Sequence, residues 1–413
     1  MESKKSNGRI LLFVCVVLFL DAVGFGLILP VLPDLIGELS NLPNSRAAEI
    51  AGYLLFTFAG MQFFFAPILG GLSDRYGRRP VLLLALLGFS IDYFVMAAAP
   101  TLTWLFVARM VSGFFGATYA AANACIVDIS TDEERAKFFG MTGAAVGLGF
   151  VFGPAIGGVL GEYGTRLPFI AAGVLTLITF IYGFFALPET LQPKNRRPFE
   201  AKRANPLGSL FSIRRYPVVL MIIGAVFFMQ LANQSYASIW SFFTIEIADW
   251  SPLQIGLSVA FYGAMLALVQ GGLTGPVVKR FGEVRPAVFS LGMGVVSFVG
   301  LAFATEGWHI YVWIFFGGFS AFAFPAMQSL MTRGTPSDAQ GELQGAISSS
   351  YSLTAIIGPL FMSQLFGAYT RGEGAYFPGA PFIGATLLVI LCLAVFSIAV
   401  RGLLPNKESE MNS

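Results

Sequence analysis

The sequence predicts an all-α membrane protein with twelve transmembrane helices in two pseudo-symmetric six-helix halves. Composition is the first sign: of 413 residues, 56% are hydrophobic and 12% are charged, where a water-soluble chain carries roughly 25% charged residues. Half of the expected solvated surface is missing, and lipid is the medium that would cover the rest. The second sign is that twelve apolar runs, each near the ~20 residues needed to cross the hydrocarbon core, use up the chain. The third is a repeat. Gly140 and Gly345, Gly153-Pro154 and Gly358-Pro359, and Arg75-Tyr76-Gly77 and Arg280-Phe281-Gly282 are each 205 positions apart. An offset of about half the chain, shared by separate features, indicates duplication of a six-helix unit. Many secondary transporters are built this way, with the site where the halves meet.

The predicted spans are 10–33, 47–72, 79–99, 102–124, 136–161 and 166–187 in the first half. In the second half they are 216–244, 252–279, 284–304, 308–331, 341–367 and 380–402. Residues 1–187 and 216–413 are the halves, and the polar, basic, Pro-containing stretch 188–215 is a cytoplasmic linker. The first run follows Lys4, Lys5 and Arg9 as a signal peptide would, yet it is too long, contains Asp21 and lacks a small-residue cleavage site. It reads as a retained helix.

Basic residues near helix ends stay on the cytoplasmic side. One side carries the amino terminus, Arg75, Arg78, Arg79, Arg135, Lys137, the seven basic residues from Lys194 to Arg215 (Lys202 and Arg203 among them), Lys279, Arg280, Arg285, Arg333, Arg401 and Lys407. The other carries Arg46, Arg166 and Arg371. Both termini are therefore expected in the cytoplasm, which requires an even number of spans, and the setting expected is a bacterial inner membrane.

Net charge is +2, and no run of Lys and Arg is interleaved with aromatics, so nucleic acid is not an expected partner. Cys15, Cys125 and Cys392 all lie in apolar stretches and read as small filler. There is no phosphate-binding loop and no metal-spaced set of His and Cys. Neither an enzyme nor a cofactor is expected.

Between the second and third spans runs Gly70-Gly71-Leu72-Ser73-Asp74-Arg75-Tyr76-Gly77-Arg78-Arg79-Pro80. Its glycines permit a tight loop, and a carboxylate among three guanidiniums can form a charge-assisted cluster. The corresponding loop of the second half has Lys279 in place of Asp74. In the fifth span, Gly147, Gly149, Gly153, Pro154, Gly157 and Gly158 put small residues where a neighbouring backbone can approach, and Pro154 removes a helical hydrogen bond.

Asp21, Asp92 and Arg109 fall deep inside the first, third and fourth spans. At 1.5 Å per residue, Asp21 and Asp92 lie roughly 17 and 20 Å from the cytoplasmic end, and Arg109 roughly 10 Å from the outer end. A charge at such depth costs at least about 2.5 kcal/mol, so these groups should face a cavity and mark function. Desolvation favours a neutral acid and a nearby guanidinium favours the carboxylate, so small movements can load or release a proton. Asp21 is the first choice for that role and Asp92 the second. Asp34, beside Pro30 and Pro33, reads as a solvated carboxylate at a helix end, and His309 as a solvated residue at an outer helix start. For the substrate, Gln62, Tyr93, Gln230, Asn233, Gln234, Trp240, Gln270 and Gln328 could line an amphiphilic cavity with aromatic walls and few polar anchors.

The loop from Gly70 to Arg79 resembles the signature of the major facilitator superfamily, with Gly70, Asp74, Arg75, Gly77, Arg78 and Arg79 in place. The resemblance implies a cytoplasmic latch between the halves. The Gly153-Pro154 pattern is similar to that family's antiporter motif. Nearly the whole chain resembles the tetracycline/proton antiporter branch, most clearly in residues 20–33, 73–84, 90–93, Arg109 with 113–118, 147–158, Trp240, 325–328, 343–345 and 357–360. The resemblance implies that Asp21, Asp92 and Arg109 serve exchange of a drug, carried as a metal complex, for a proton. Two departures stand out: 286–304 has no charge where that branch has a ninth-span carboxylate, and 253–278 has no His. The expected function is proton-coupled efflux, by alternating access, of tetracycline-like or other amphiphilic drugs. The alternatives are an uptake symporter or uniporter of the same fold, or a membrane enzyme or sensor. The expected partners are a small amphiphilic substrate, protons and lipid, with the chain a monomer.

Overall fold

A computed structural model of the protein describes residues 2–116, 118–199, 208, 211, 213–336, 339–372 and 374–401. Lys202, Arg203 and Lys407, expected on the cytoplasmic side, lie outside the described residues. Among the described residues, twelve helices are long and apolar enough to cross a membrane. The first six are Gly8–Ile28, Asn44–Tyr76, Arg78–Ala98, Leu102–Ile129, Lys137–Tyr163 and Leu167–Ala186. The last six are Pro217–Ala248, Pro252–Phe281, Val284–Ala302, Gly307–Arg333, Gln340–Thr370 and Ala380–Arg401. The chain is a multi-pass, all-helical membrane protein.

The first span ends at Ile28, short of residue 33, because Pro30 cannot donate into the helical ladder. The N–H of Val31 turns back to the carbonyl of Ile28 at 3.1 Å. A separate helix, Leu32–Ser40, then starts with Pro33 in its first turn and closes at Asn41 with φ 53°. Asp34 lies exposed on it. Three other spans are interrupted. The fourth breaks at Gly116 between Leu102–Phe115 and Thr118–Ile129. The eighth contains a wide π turn over Val269–Leu273, and the tenth a tight turn over Phe319–Phe322. His309 is tied into a helix start: its Nδ1 accepts from the N–H groups of Thr305 and Glu306 at 3.3 and 3.2 Å. Its ring therefore belongs to the cap and is half-buried.

The chain packs as two compact units. One is Met1–Pro206 with Thr244–Gly263, and the other Leu207–Phe243 with Ala264–Ser413. The first has a core of Val14, Val17, Leu18, Leu82, Leu86, Ala122, Cys125 and Ile126. Residues 244–263 join it through close backbone approaches: a Cβ on Gly158 would lie 2.5 Å from the carbonyl oxygen of Pro252. Leu253 also donates its N–H to Glu162 at 3.2 Å. In the second unit Phe382 is fully buried in an aromatic cluster, with Phe243 4.7 Å and Phe298 6.3 Å away by ring centroid.

Candidate functional site

The first unit contains a cavity of about 350 Å³. Its wall includes Asp21 and Phe25 of the first span, Phe58 and Gln62 of the second, Tyr93 of the third, Arg109 and Tyr119 of the fourth and Phe150 of the fifth. Aromatic rings contribute to that surface from all five of these helices, with Phe25 and Phe150 edge to face at 6.0 Å.

Small residues bring these helices close enough for their polar groups to meet. A Cβ on Gly24 would lie 2.6 Å from the Tyr93 hydroxyl, so the third span reaches the backbone of the first there. One on Gly113 would lie 2.5 Å from the carbonyl oxygen of Phe58. Where the fourth span breaks, the freed carbonyl of Gly116 accepts a hydrogen bond from Nε2 of Gln62 at 2.8 Å. A helix interruption at membrane depth needs such a partner.

Inside this frame Nη2 of Arg109 donates to Oδ2 of Asp92. Asp92 is 1% exposed, and the guanidinium lies 5.5 Å from the ring centroid of Phe58. Three buried polar atoms have no partner among the described residues: Oδ1 of Asp92, Nε of Arg109 and Oγ1 of Thr118, a further wall residue. The structure thus gathers Asp21, Gln62, Tyr93 and Arg109 in one wall, with Asp92 behind them as the partner of Arg109. Thr118, Tyr119, Phe58 and Phe150 were not singled out in the sequence. Being apolar or singly hydroxylated, they carry no cost signal at membrane depth.

At the other end of these helices the expected charge cluster forms in part. Arg78 donates from Nη1 to Asp74 at 2.5 Å and from Nε to Asp128 at 3.1 Å. Arg79 instead donates to the carbonyl oxygen of Phe184 at 2.6 Å, and exposed Arg75 lies over Tyr76 at 5.1 Å. Asp128 falls beyond residue 124, where the span was expected to end, and lies within the helix Thr118–Ile129. Glu189 was also missed. Its carboxylate accepts from the N–H groups of Arg78 and Arg79 at 2.8 and 3.3 Å, satisfying the start of the third span from far along the chain. Where that chain folds back, Arg197 donates its N–H to the carbonyl of Asp74 at 3.1 Å.

Gly153 and Pro154 lie within the helix Asp132–Tyr163. A Cβ on Gly26 would sit 2.6 Å from Cδ of Pro154, so the proline ring occupies space that only a glycine in the first span leaves open. Near the short helix, burial first and then the charges of Glu38 and Glu162 hold the carboxyl of Asp34 above the usual range.

The remaining candidates belong to the second unit. Asn233 donates to Gln230 at 3.2 Å, Gln234 packs against Gly358, and Trp240 is buried beside Tyr236 at 5.5 Å. Gln270 is exposed on the π turn, and Gln328 is half-buried.

Twelve spans, a charged loop after the second, and ionisable groups buried around a cavity define a secondary transporter. The chain belongs to the Major Facilitator Superfamily, whose sequence profile matches residues 14–359 and 235–409. Within that family it is 39% identical to tetracycline resistance protein class C of Escherichia coli over 389 residues, covering 94% of this chain and 96% of that protein. It is 38% identical to the class G protein of Vibrio anguillarum over 387 residues, with 91% and 94% covered. In fold it is similar to the crystal structure of a bacterial homologue of the human lysosomal transporter Spinster. That comparison has a TM-score of 0.77 at 15% identity and covers 96% of this chain and 97% of that one.

Proposed function

We propose that the protein is a proton-coupled antiporter that exports tetracycline-like or other amphiphilic drugs by alternating access, with both termini in the cytoplasm of a bacterial inner membrane. One observation carries the reading. The aromatic cavity presents Asp21 while Asp92, which is fully buried, is engaged by Arg109. Among the described residues Asp92 is paired with a guanidinium and Asp21 with no cation, so Asp21 exchanges a proton with least disturbance to the fold. Asp92 and Arg109 are bound to each other and hold the third and fourth spans together. Gln62 and Tyr93 provide hydrogen-bonding groups beside the aromatic side chains of the wall, which suits an amphiphile. Substrate contacts are also assigned to Gln230, Asn233, Gln234, Trp240, Gln270 and Gln328 of the second unit. Asp74, Arg75, Arg78 and Arg79 act at the gate, with Gly153 and Pro154 as its pivot. A metal ion would enter as part of the substrate, and the working unit is a monomer.

Proton entry drives drug exit, each elementary charge moved inward being worth about 2.3 kcal/mol per 100 mV. Reconstituted Asp21→Asn should show no substrate-induced proton movement while expressing at near-parental levels. A resistance panel run on parent and variant should lose the same compounds. Undiminished proton movement in Asp21→Asn would refute the reading.

A further inference from the structure

At the start of the seventh span the second unit has a groove of about 450 Å³ that no transport role uses. Leu220, Ile223, Gly224 and Phe227 line it from one face of that helix, spaced i, i+3, i+4 and i+7, and Leu353 and Ser350 face it from the eleventh span. Its polar features are few and specific. Arg214 stands at the mouth, three residues before Pro217 begins the helix. The neighbouring Arg215 is committed to Glu342, with Nη2 at 2.7 and 2.6 Å from the two carboxylate oxygens. Among the described residues, Arg214 has an aromatic partner only, the ring of Phe211 at 4.8 Å. Deeper in, Ser350 is 2% exposed and its hydroxyl has no hydrogen-bond partner.

We propose that this groove is a binding site for one anionic phospholipid. The apolar stripe takes the upper part of an acyl chain, and Leu220 to Phe227 spans roughly 10 Å at 1.5 Å per residue. The Arg214 guanidinium takes the phosphate, as basic groups at a membrane surface do. The Ser350 hydroxyl donates to an ester carbonyl of the lipid, which gives that buried donor its missing partner. A cation with no carboxylate partner favours a headgroup of net negative charge over a zwitterionic one. The long apolar wall is of no use to a free phosphate. With the termini placed as proposed, the lipid comes from the inner leaflet.

Gly224 supplies a direct test, because a Cβ there would meet nothing within 4 Å. Gly224→Leu therefore fills the groove rather than disturbing the packing. The intact protein is titrated in detergent with phosphatidylglycerol, phosphatidylcholine or glycerol 3-phosphate, and bound lipid is counted by native mass spectrometry. Phosphatidylglycerol is expected to bind the parent about fivefold more tightly than phosphatidylcholine, the ratio matching ~1 kcal/mol per basic residue. Arg214→Gln should remove that preference, and Gly224→Leu should remove one bound lipid whatever its headgroup. Glycerol 3-phosphate should not compete. Equal affinity for the two lipids, or parental lipid counts and preference in both variants, would overturn the proposal. So would competition by glycerol 3-phosphate, which would make this an anion site. Arg214→Gln changes an exposed residue, so the test stands even if Gly224→Leu folds poorly.

Discussion

Arg109 of the fourth span donates through Nη2 to Oδ2 of Asp92 in the third, with the guanidinium also lying over the ring of Phe58. A planar fork can serve a carboxylate and a ring face together, whereas an ammonium is a compact point charge. Arg109→Lys should therefore lose most transport although the charge remains. Arg109→Gln should also lose about 3–5 kcal/mol of stability, because it leaves Asp92 buried and alone. Proteoliposome uptake and thermal unfolding read the two effects separately. A fully active Lys variant would reduce Arg109 to a generic cation.

The glycines of the fifth span are not equivalent. A Cβ on Gly157 would lie 2.7 Å from Cα of Leu27 and press on that residue's backbone, whereas one on Gly147 would meet nothing within 4 Å. Gly157→Ala is expected to destabilise by roughly 1–3 kcal/mol through overpacking. Gly147→Ala should be neutral or stabilise by up to about 1 kcal/mol through helix propensity. Thermal melts of the pair decide this. Similar losses in both would mean that packing against the first span is not the cause.

The architecture was legible because a membrane imposes length and polarity on every span, and the duplication repeats the same marks. Asp21, Asp92 and Arg109 were legible for a related reason: charge at that depth is too costly to be incidental. Partner choice was not legible. Spacing could not say that Arg78 takes Asp74 and Asp128 while Arg79 turns to a backbone carbonyl, because Glu189 occupies the helix start from 111 positions away. The early end of the first span was present in Pro30 and Pro33, but the apolar run continues past them and masked it.

Asp34, on the short helix Leu32–Ser40, offers a pH test. Its carboxyl is held above the ordinary range by partial desolvation, then by Glu38 and Glu162, while Arg166 lies 3.7 Å from Glu38. The folded state thus binds this proton more readily than the unfolded state does. That contribution to stability is full below about pH 4 and is lost as pH rises through the elevated value. Asp34→Asn should match the parent below that pH and exceed it at neutral pH. The gain is under about 0.5 kcal/mol, because the site is exposed. A gap that does not change with pH between 4 and 7 would contradict the assignment.

Arg78 is shared by Asp74 and Asp128. Removing one carboxylate should leave the other holding the guanidinium, so Asp74→Asn should slow transport several-fold with substrate affinity largely retained. Asp74→Asn with Asp128→Asn should lose more than the sum of the single changes, since contacts within one network are not additive. Transport rates equal to the parent in Asp74→Asn, or strict additivity, would count against a shared latch.

Glu189 gives the most specific test of the loop between the second and third spans. Its Oε1 accepts from the N–H groups of Arg78 and Leu191 at 2.8 and 2.9 Å, and Oε2 accepts from Arg79. The N–H groups of Arg78 and Arg79 are orphan donors of the helix Arg78–Ala98, whose N-cap, Gly77 at φ 112°, has no side chain to supply an acceptor. Glu189→Ala should cost about 1 kcal/mol, the usual worth of an N-cap, and loosen the loop that presents Asp74 and Arg78. Glu189→Gln keeps an acceptor but loses the charge that favours a helix N-terminus, so it should recover part of the stability. Thermal unfolding should order parent, Gln and Ala from most to least stable, and amide exchange at the start of the third span should quicken in the same order. If Ala matches the parent in both measurements, the loop is held by the arginine pairs alone.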